Sequence, residues 1–299
     1  MEYVIGVDIG GTKINAAFIN EEGEIINKVK VKTNADKGKD EVLNNIKTAI
    51  NKLPLDKAKA IGIGTPGFID SENGIVTFAG NINGWTGLNL KKEIEKFVSI
   101  PVYVENDANI ALLCEKWIGA CKEFKNVVMI TLGTGLGGAV LINDNTMLYG
   151  SHFQGAELGH MIMYPGGREC TCGQKGCAES YCAGRAITRH YFELTGYNLS
   201  GDEIFSRVDF DQAAKKVLDD YVYDLANYLS TLRNIFDPDV IVIGGGVINS
   251  REIWWDLMIE NYKKICNKPD EVKIVSARYL NDSGVIGAAK VAFDRSKDE

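Results

Sequence analysis

Residues 4–20 read Val4-Ile-Gly-Val-Asp8-Ile-Gly10-Gly-Thr-Lys13-Ile-Asn-Ala-Ala-Phe-Ile-Asn20. The β-branched residues on either side of Gly10-Gly11-Thr12 predict two strands joined by a tight turn. The same order returns at 127–143, where Gly133-Thr134-Gly135 occupies the turn. The two glycine turns align without a gap, so the sequence predicts two halves built on one plan.

Strands and helices alternate along the chain, which is typical of the α/β class. A second pair of predicted strands, near 101–105 and 273–280, is followed in both halves by Asn-Asp. Helices are predicted at 40–53, 90–98, 108–118, 212–236, 251–266 and 285–293. We expect an N-terminal domain over 1–118 and a C-terminal domain over 119–284, with the helix at about 285–299 packing back onto the first domain.

The composition limits the kinds of partner that the protein can have. The chain has 299 residues and a net charge of -7, so a general positive surface for nucleic acid or anionic membranes is not expected. No apolar run approaches the roughly 20 residues of a membrane-spanning helix. The first 20 residues also lack the apolar core of a signal peptide. We therefore expect a protein of the reducing cytoplasm.

Two segments match the dinucleotide-binding pattern G-x-G-x-x-G, at 62–67 and 133–138. That motif has to open a helix whose N-terminus faces a pyrophosphate. The first match runs into a turn-rich stretch and the second into an apolar strand, so a nicotinamide cofactor is not expected. The sequence also has no P-loop pattern.

The two glycine turns predict a different kind of nucleotide site. Backbone N–H groups in such turns form anion-binding concavities. We therefore expect Gly10-Gly11-Thr12 in one half and Gly133-Thr134-Gly135 in the other to hold the phosphates of a nucleotide across a cleft. Thr12 and Thr134 would add hydroxyl donors. Lys13 either adds positive charge or is a solvated turn lysine.

Asp8 is a lone carboxylate inside an apolar strand, and burying it without a partner is costly. The expected partner is Mg²⁺ on the phosphates, directly or through water. The alternative is that Asp8 accepts hydrogen bonds from backbone amides of the turn. A third glycine run, Gly244-Gly245-Gly246, ends a buried strand in the second half. It either lets a nucleoside lie on the backbone or makes a tight connection to the next helix.

Asn106 and Asp107 stand where a predicted strand ends and a helix begins. A carboxylate at this place can act as the general base that accepts a proton from a substrate hydroxyl during phosphoryl transfer. Alternatively, Asp107 only caps the N-terminus of the helix, as Asp commonly does. Residue type alone does not separate these two hypotheses.

One histidine and three cysteines cluster in the sequence: His160, Cys170, Cys172 and Cys177. They can form a closed Cys3His zinc site, although the Cys-x-Cys spacing is tighter than usual. A disulfide and inert buried thiols are the alternatives. A zinc ion here would fix the loop and, with it, the directions of the flanking carboxylates Glu157 and Glu179.

Five segments follow one another in a characteristic order. They are Asp8-Ile-Gly-Gly-Thr-Lys13, Glu105-Asn-Asp-Ala-Asn109, Leu132-Gly-Thr-Gly-Leu-Gly-Gly138, Gly155-Ala-Glu-Leu-Gly-His160 and Cys170-Thr-Cys-Gly-Gln-Lys-Gly-Cys-Ala-Glu179. Together they resemble the ROK family of sugar kinases. The resemblance implies two actin-like ATPase (ribonuclease H-like) domains, with mixed sheets flanked by helices and a cleft between them. It also favours the general-base hypothesis for Asp107.

The resemblance further implies which residues contact the sugar and the metal. The implied sugar contacts are Asn81, Asn106, Asp107, Glu157, His160 and Glu179. The implied zinc ligands are His160, Cys170, Cys172 and Cys177. Asn83 competes with Asn81 for its place before Trp85. The cysteine pattern is more similar to the glucokinase branch of the family than to the fructokinase branch.

The implied activity is that of an ATP-dependent hexose kinase with Mg²⁺ and structural zinc, converting glucose to glucose 6-phosphate. Kinases for N-acetylhexosamine, mannose or fructose are the nearest alternatives. A non-catalytic sugar sensor on the same fold is an alternative of a different class. The resemblance also implies a homodimer or a higher homo-oligomer.

Overall fold

The computed structural model describes residues 1–80 and 82–297. The chain divides into two compact units. The first contains Met1–Glu123, Tyr149–Gly155 and the chain from Asn281 onward, and the second contains Phe124–Leu148 and Ala156–Leu280. The domain boundary after residue 118 stays a prediction, because compactness alone does not show that a part folds independently.

Strands and helices alternate through both units. The strands are β1 (Tyr3–Ile9), β2 (Lys13–Asn20), β3 (Ile25–Lys32), β4 (Ile61–Thr65), β5 (Phe68–Asp70), β6 (Ile75–Phe78), β7 (Val102–Asn106), β8 (Val127–Leu132), β9 (Leu136–Ile142), β10 (Thr146–Met147), β11 (Val240–Gly244) and β12 (Lys273–Ser276). The α-helices are α1 (Lys39–Ile50), α2 (Leu90–Glu95), α3 (Asp107–Trp117), α4 (Glu179–Cys182), α5 (Gly184–Thr195), α6 (Gly201–Phe205), α7 (Gln212–Phe236), α8 (Arg251–Ile265) and α9 (Ser283–Arg295).

Each unit contains a five-stranded mixed sheet with the same strand order. The first sheet is β3-β2-β1-β4-β7 and the second is β10-β9-β8-β11-β12. In both, the first three strands pair antiparallel and the remaining pairs are parallel. The glycine turns join the equivalent strands β1 to β2 and β8 to β9. The predicted α/β class, with mixed sheets flanked by helices, is confirmed.

The prediction was wrong about some element boundaries in the second unit. The strand predicted from residue 139 begins at Leu136, because Gly137 and Gly138 take part in the ladder opposite Thr131 and Ile130. The helices α4, α5 and α6 lie where no helix was predicted. In α5 the buried residues Ala186, Ile187 and Tyr191 lie at the spacing of one helical face, a signal that the helix predictions above did not use.

Helix α9 lies directly on the backbone of the first sheet. Gly6 of β1 and Gly62 of β4 are neighbours in the parallel register, and a Cβ atom at either position would overlap a carbonyl oxygen of α9. Gly64 meets the side chain of Ile110 in α3 in the same way. Gly62 and Gly64 of the first G-x-G-x-x-G match are therefore explained by helix packing, and Gly67 by its positive φ of 109° and its contact with the Phe78 carbonyl.

Each unit has its own apolar core. In the second unit the long helix α7 has the bounds that its periodicity predicted, and it buries one apolar face, formed by Leu218, Tyr221, Val222, Leu225, Leu229 and Leu232. Asp211 caps its N-terminus by accepting from the N–H of Ala213 (2.8 Å). Over the residues that the structure describes, no helix combines the length and apolarity needed to span a bilayer.

The variant Gly62→Ala should lower the free energy of unfolding, because its methyl group would push α9 off the sheet. Overpacking of this kind costs about 1–3 kcal/mol, which urea unfolding would measure. Gly80→Ala is the matched control in the same unit, since a Cβ there has no neighbour within 4 Å. Equal stability of the two variants would contradict this account of the packing.

Candidate functional site

The first glycine turn presents exposed backbone on a fixed support. The Gly10 N–H donates to the Lys13 carbonyl (2.9 Å) and closes the turn. The buried Thr33 supports it, because its hydroxyl donates to the Gly10 carbonyl (2.6 Å) and its N–H donates to the Thr12 carbonyl (3.0 Å). Gly11, Thr12 and Lys13 are exposed. The turn is thus accessible to an anionic ligand, as an anion-binding concavity has to be.

Positive charge accompanies this turn. Lys13 of β2 and Lys30 of the neighbouring strand β3 lie close enough that the charge of Lys13 lowers the pKa of Lys30. Like charges held together are unfavourable unless an anion lies near them. Lys13 therefore brings positive charge to the turn, and its role towards a ligand stays a prediction.

Asp8 is half-buried near the end of β1. Asn15 Nδ2 donates to Asp8 Oδ2 (3.4 Å), and Gly284 of α9 leaves space for the carboxyl, since a Cβ there would overlap it. Burial raises the pKa of Asp8. Among the described residues no backbone amide donates to Asp8, so the turn-capping alternative finds no support. A carboxylate oxygen is a ligand type that suits Mg²⁺.

Asn106 takes the capping role at the start of α3. Its Oδ1 accepts from the N–H groups of Ala108 (2.8 Å) and Asn109 (3.2 Å), and its Nδ2 donates to the Gly67 carbonyl (2.9 Å). Asn106 is therefore the N-cap. Helix α3 begins at Asp107, one residue earlier than predicted, and the hypothesis that Asp107 is the N-cap is wrong.

Asp107 has the electrostatic properties of a base. Its side chain is exposed to solvent, and its Oδ1 accepts from the Ala108 N–H (2.8 Å). Protein atoms nevertheless crowd the carboxyl. This desolvation, together with the negative charge of Asp8, raises the pKa of Asp107 to about 6. A carboxylate with this pKa is ionised at neutral pH and is more basic than an ordinary Asp.

The second glycine turn is held by its own carbonyls and by helix α5. The Gly133 N–H donates to the Gly135 carbonyl (2.9 Å), and the Gly184 N–H donates to the Gly133 carbonyl (2.8 Å). A cavity of about 430 Å³ opens beside the turn. Its lining includes Thr134, Arg185, Asp202 and Gly246. The cavity is large enough for a small ligand and is built within the second unit.

The three glycines of the run at 244–246 have different roles. A Cβ at Gly244 would lie 3.0 Å from Met129 Cε, and one at Gly245 would lie 2.5 Å from the Leu132 carbonyl oxygen. Gly245, which also has a positive φ of 86°, therefore needs glycine, whereas at Gly244 a Cβ would require only a small shift of the flexible Met129 side chain. Gly246 has no such neighbour within 4 Å and lines the cavity. The tight-connection hypothesis fits Gly244 and Gly245, whereas the nucleoside hypothesis fits Gly246.

Glu179 joins the second glycine turn to the cysteine loop. Its Oε2 accepts from the Leu136 N–H (2.9 Å), directly after the turn, and its Oε1 accepts from the Thr171 hydroxyl (3.2 Å). A Cβ at Gly135 would lie 2.5 Å from Glu179 Oε2. The direction of the Glu179 carboxylate is therefore fixed from both sides.

The structure brings together the four ligand atoms of the predicted zinc site, which lie within 4.8 Å of one another. Cys172 Sγ lies 3.7 Å from Cys177 Sγ, and Cys170 Sγ lies 3.6 Å from His160 Nδ1. Tetrahedral zinc places two sulfur ligands about 3.8 Å apart, and a sulfur and a nitrogen about 3.6 Å apart. The disulfide alternative is wrong, since all seven cysteines are free.

The surroundings of the cluster also suit a metal. Gln174 Nε2 lies 3.5 Å from Cys172 Sγ and 3.9 Å from Cys177 Sγ, and it donates to the His160 carbonyl (3.4 Å). An amide donor beside thiolates offsets their negative charge. Because Nδ1 of His160 faces the cluster, Nε2 is the ring nitrogen left for another partner.

Of the remaining predicted sugar contacts, the structure describes Glu157 but not Asn81. Glu157 is half-buried and immediately precedes a 3-10 helix of one turn, Leu158–His160. Asn81 lies outside the described residues. Its competitor Asn83 is exposed, and the Asn83 carbonyl accepts from the Lys39 N–H (3.1 Å) at the start of α1.

Sequence reasoning missed Arg185, the second residue of α5. It lines the cavity of about 430 Å³ and a smaller one of about 90 Å³ that Thr134 and Glu179 also line. A helix predicted directly after the cysteine motif would have drawn attention to it. The helical spacing of Ala186, Ile187 and Tyr191 was the sequence signal for that helix.

Comparisons with known proteins give one consistent result. A family model described as "ROK family" matches residues 4–295. A relative named "Glucokinase" from Thermotoga maritima is 35% identical, over 98% of this chain and 98% of the relative. The crystal structure of a ROK hexokinase from Thermus thermophilus has a TM-score of 0.89 at 32% identity and covers 99% of this chain and 100% of its own.

A second solved structure carries ligands. It is a ROK family glucokinase from Streptomyces griseus in complex with glucose and AMPPNP, with a TM-score of 0.84 at 32% identity. The match covers 98% of this chain and 99% of that one.

The purified protein should contain one zinc ion per chain, and Cys172→Ala should reduce this to near none, because it removes one of four tetrahedral ligands. Elemental analysis after dialysis would measure the bound metal. Cys266→Ala is the control, since Cys266 is buried in the same unit outside the cluster. Full zinc content in Cys172→Ala would exclude this ligand set.

The variant Asp107→Asn should raise the melting temperature at pH 7.5 and leave it unchanged near pH 3.5. Folding raises the Asp107 pKa from 3.8 to about 6, so stability is lost as the pH rises through this window. The amide cannot ionise and avoids that loss. Asp209→Asn, at an exposed position, is the control for thermal unfolding. A lower melting temperature for Asp107→Asn at pH 7.5 would contradict the raised pKa.

Proposed function

The chain belongs to the ROK family, and from this we propose that it is an ATP-dependent hexose kinase. The proposed reaction transfers the γ-phosphoryl group of ATP to the 6-hydroxyl of glucose. The relatives named glucokinase, and the homologous structure with glucose and AMPPNP, support this substrate and this donor. Both matches cover at least 98% of each chain.

The observation that carries the proposal is that Asp107 is exposed and has a raised pKa. Asn106 caps helix α3, which leaves the Asp107 carboxylate exposed and ionised at neutral pH, with a pKa of about 6. In the proposed step the sugar hydroxyl gives its proton to Asp107 as its oxygen attacks the γ-phosphorus. The bond from that phosphorus to the β-phosphate oxygen breaks, and ADP leaves.

Two glycine turns are proposed to hold the phosphates of ATP. In the turn at Gly10, Gly11 and Thr12, the backbone N–H groups of Gly11 and Thr12 would donate to phosphate, since that of Gly10 closes the turn. Lys13 would add charge, and the turn at 133–135 would act in the same way from the second unit. Asp8 fits Mg²⁺, directly or through water, and the ion when bound would neutralise phosphate charge. Gly246 and the cavity beside Thr134 suit the nucleoside.

The proposed sugar contacts are Asn81, Asn106, Asp107, Glu157, His160 and Glu179. In the second unit, Glu179 already accepts from Leu136 and Thr171, so it would use remaining lone pairs for a sugar hydroxyl. Zinc held by His160 and the three cysteines would fix the loop, and His160 Nε2 would then carry the proton that it can donate to the sugar.

Other hexoses remain the nearest competing substrates. N-acetylhexosamine, mannose and fructose differ from glucose in groups that loop residues would contact. A non-catalytic sugar sensor would not require a basic carboxylate such as Asp107. We also propose that the protein works in the cytoplasm, where its free thiols remain reduced, and that it forms a homodimer or a higher homo-oligomer.

The protein should form ADP with glucose more efficiently than with N-acetylglucosamine, mannose or fructose. A coupled ADP-release assay over this sugar panel, with Mg²⁺ and ATP, would measure kcat/KM for each. The acid limb of the pH profile should fall below about pH 6, as Asp107 becomes protonated. No ADP release with any hexose would rule out the kinase.

The variant Asp107→Asn is the control for that assay. Loss of a general base costs roughly 100-fold to 10,000-fold in rate, so kcat should fall by this factor while glucose still binds. Calorimetric titration with glucose would show the retained binding. Near-normal turnover would remove Asp107 from the mechanism.

A further inference from the structure

Glu105 is a fully buried carboxylate two residues before Asp107. It lies in β7 and is 1% exposed. An ionised carboxylate removed from water is costly unless donors satisfy its oxygens. The proposed mechanism gives this group no part, so its surroundings show what it does for the fold and for the site.

Four donors surround the two oxygens of Glu105. Its Oε1 accepts from the backbone N–H of Asn106 (2.9 Å) and from Asn109 Nδ2 (3.0 Å). Its Oε2 accepts from the Tyr149 hydroxyl (2.9 Å) and from Arg295 Nη2 (3.3 Å). Oε1 therefore faces the start of helix α3, whereas Oε2 faces residues that are distant in the chain.

The first oxygen holds the residues on either side of Asp107. Asn106 precedes Asp107, and Asn109 lies in the first turn of α3. Fixing the Asn106 amide and the Asn109 side chain to one acceptor fixes the backbone that carries the Asp107 carboxylate. The geometry of a general base depends on such support, since a shift of about 1 Å can cost 100-fold in rate.

The second oxygen, Oε2, connects the start of helix α3 to two distant segments of the first unit. Tyr149 begins the segment Tyr149–Gly155, and Arg295 is the last residue of α9. Arg295 also donates from Nη1 to the Ser71 carbonyl, while Asn106 Nδ2 donates to the Gly67 carbonyl. The loop around β5 is therefore held from both sides by the same network.

We propose that Glu105 is a positioning residue for Asp107, acting through Asn106 and Asn109 and anchored by Tyr149 and Arg295. This inference rests on the proposed role of Asp107 as the base. Glu105 itself does not touch the substrate. Its amide replacement Gln offers only one acceptor oxygen and turns an NH₂ group towards two of the donors, so the network is broken with little change in side-chain size.

The test compares Glu105→Gln with Glu115→Gln. Glu115 is 0% exposed and lies in helix α3, near the end away from Asp107. It accepts from the Ala120 N–H (2.7 Å), beyond that end of the helix. Both variants lose a buried carboxylate and should lose stability. Only Glu105→Gln should lower kcat, by about 10-fold to 100-fold, with the KM values for glucose and ATP within about 2-fold of the wild type.

Three kinetic results would overturn the proposal. They are a wild-type kcat in Glu105→Gln, an equal fall of kcat in Glu115→Gln, or a change confined to KM. If Glu105→Gln does not fold, Tyr149→Phe takes its place, because it removes a single donor to Oε2, and it should lower kcat by a smaller factor. An unchanged kcat in a folded Tyr149→Phe would then count against the proposal.

A measurement without turnover separates this proposal from the proposed function. Carboxyl NMR would follow the ionisation of Asp107, whose pKa is raised to about 6 by its surroundings. In Glu105→Gln the displaced carboxyl should titrate clearly lower, whereas in Glu115→Gln it should titrate as in the wild type. If no hexose is phosphorylated but this shift occurs, the kinase proposal fails and the positioning role stands. An unshifted titration would overturn the positioning role.

Discussion

The close approach of helix α9 to the backbone of the first sheet is the constraint on which the site in the first unit depends. Gly6 and Gly62 have no side chain, so carbonyl oxygens of the helix lie directly against the backbone of the strands. This depth brings Gly284 against Asp8, and it sets α9 so that Arg295 reaches Glu105. A fold that uses glycine for packing thereby also positions two carboxylates.

Three consecutive residues at the junction of β7 and α3 have different roles around the proposed base. Glu105 is buried and anchors, Asn106 caps α3, and Asp107 is exposed. Because the capping hydrogen bonds go to Asn106, the Asp107 carboxylate keeps its charge available. Its pKa of about 6 comes from desolvation and from Asp8. The cost of placing two carboxylates near each other is a stability loss of the kind seen at functional sites.

In the second unit, Glu179 connects the cysteine loop to the second glycine turn. Glu179 accepts from Leu136 next to the turn and from Thr171 within the cysteine loop. The ligand-atom separations of 3.6 Å and 3.7 Å match tetrahedral zinc. Any metal that orders the cysteine loop would therefore also order the surroundings of the second glycine turn, since Glu179 contacts both.

The sequence by itself determined the two strand-turn-strand repeats, the α/β class and the long helix α7, because local periodicity and glycine turns carry that information. It also singled out His160 and the three clustered cysteines by residue type and spacing, and the family resemblance of its motifs favoured Asp107 as the base. Only the tertiary structure decided that Asn106 is the cap, that Gly62 serves packing, and that Glu105 is tied to Arg295. Those contacts join residues far apart in the chain, and their free energies depend on burial and distance, which no local pattern records.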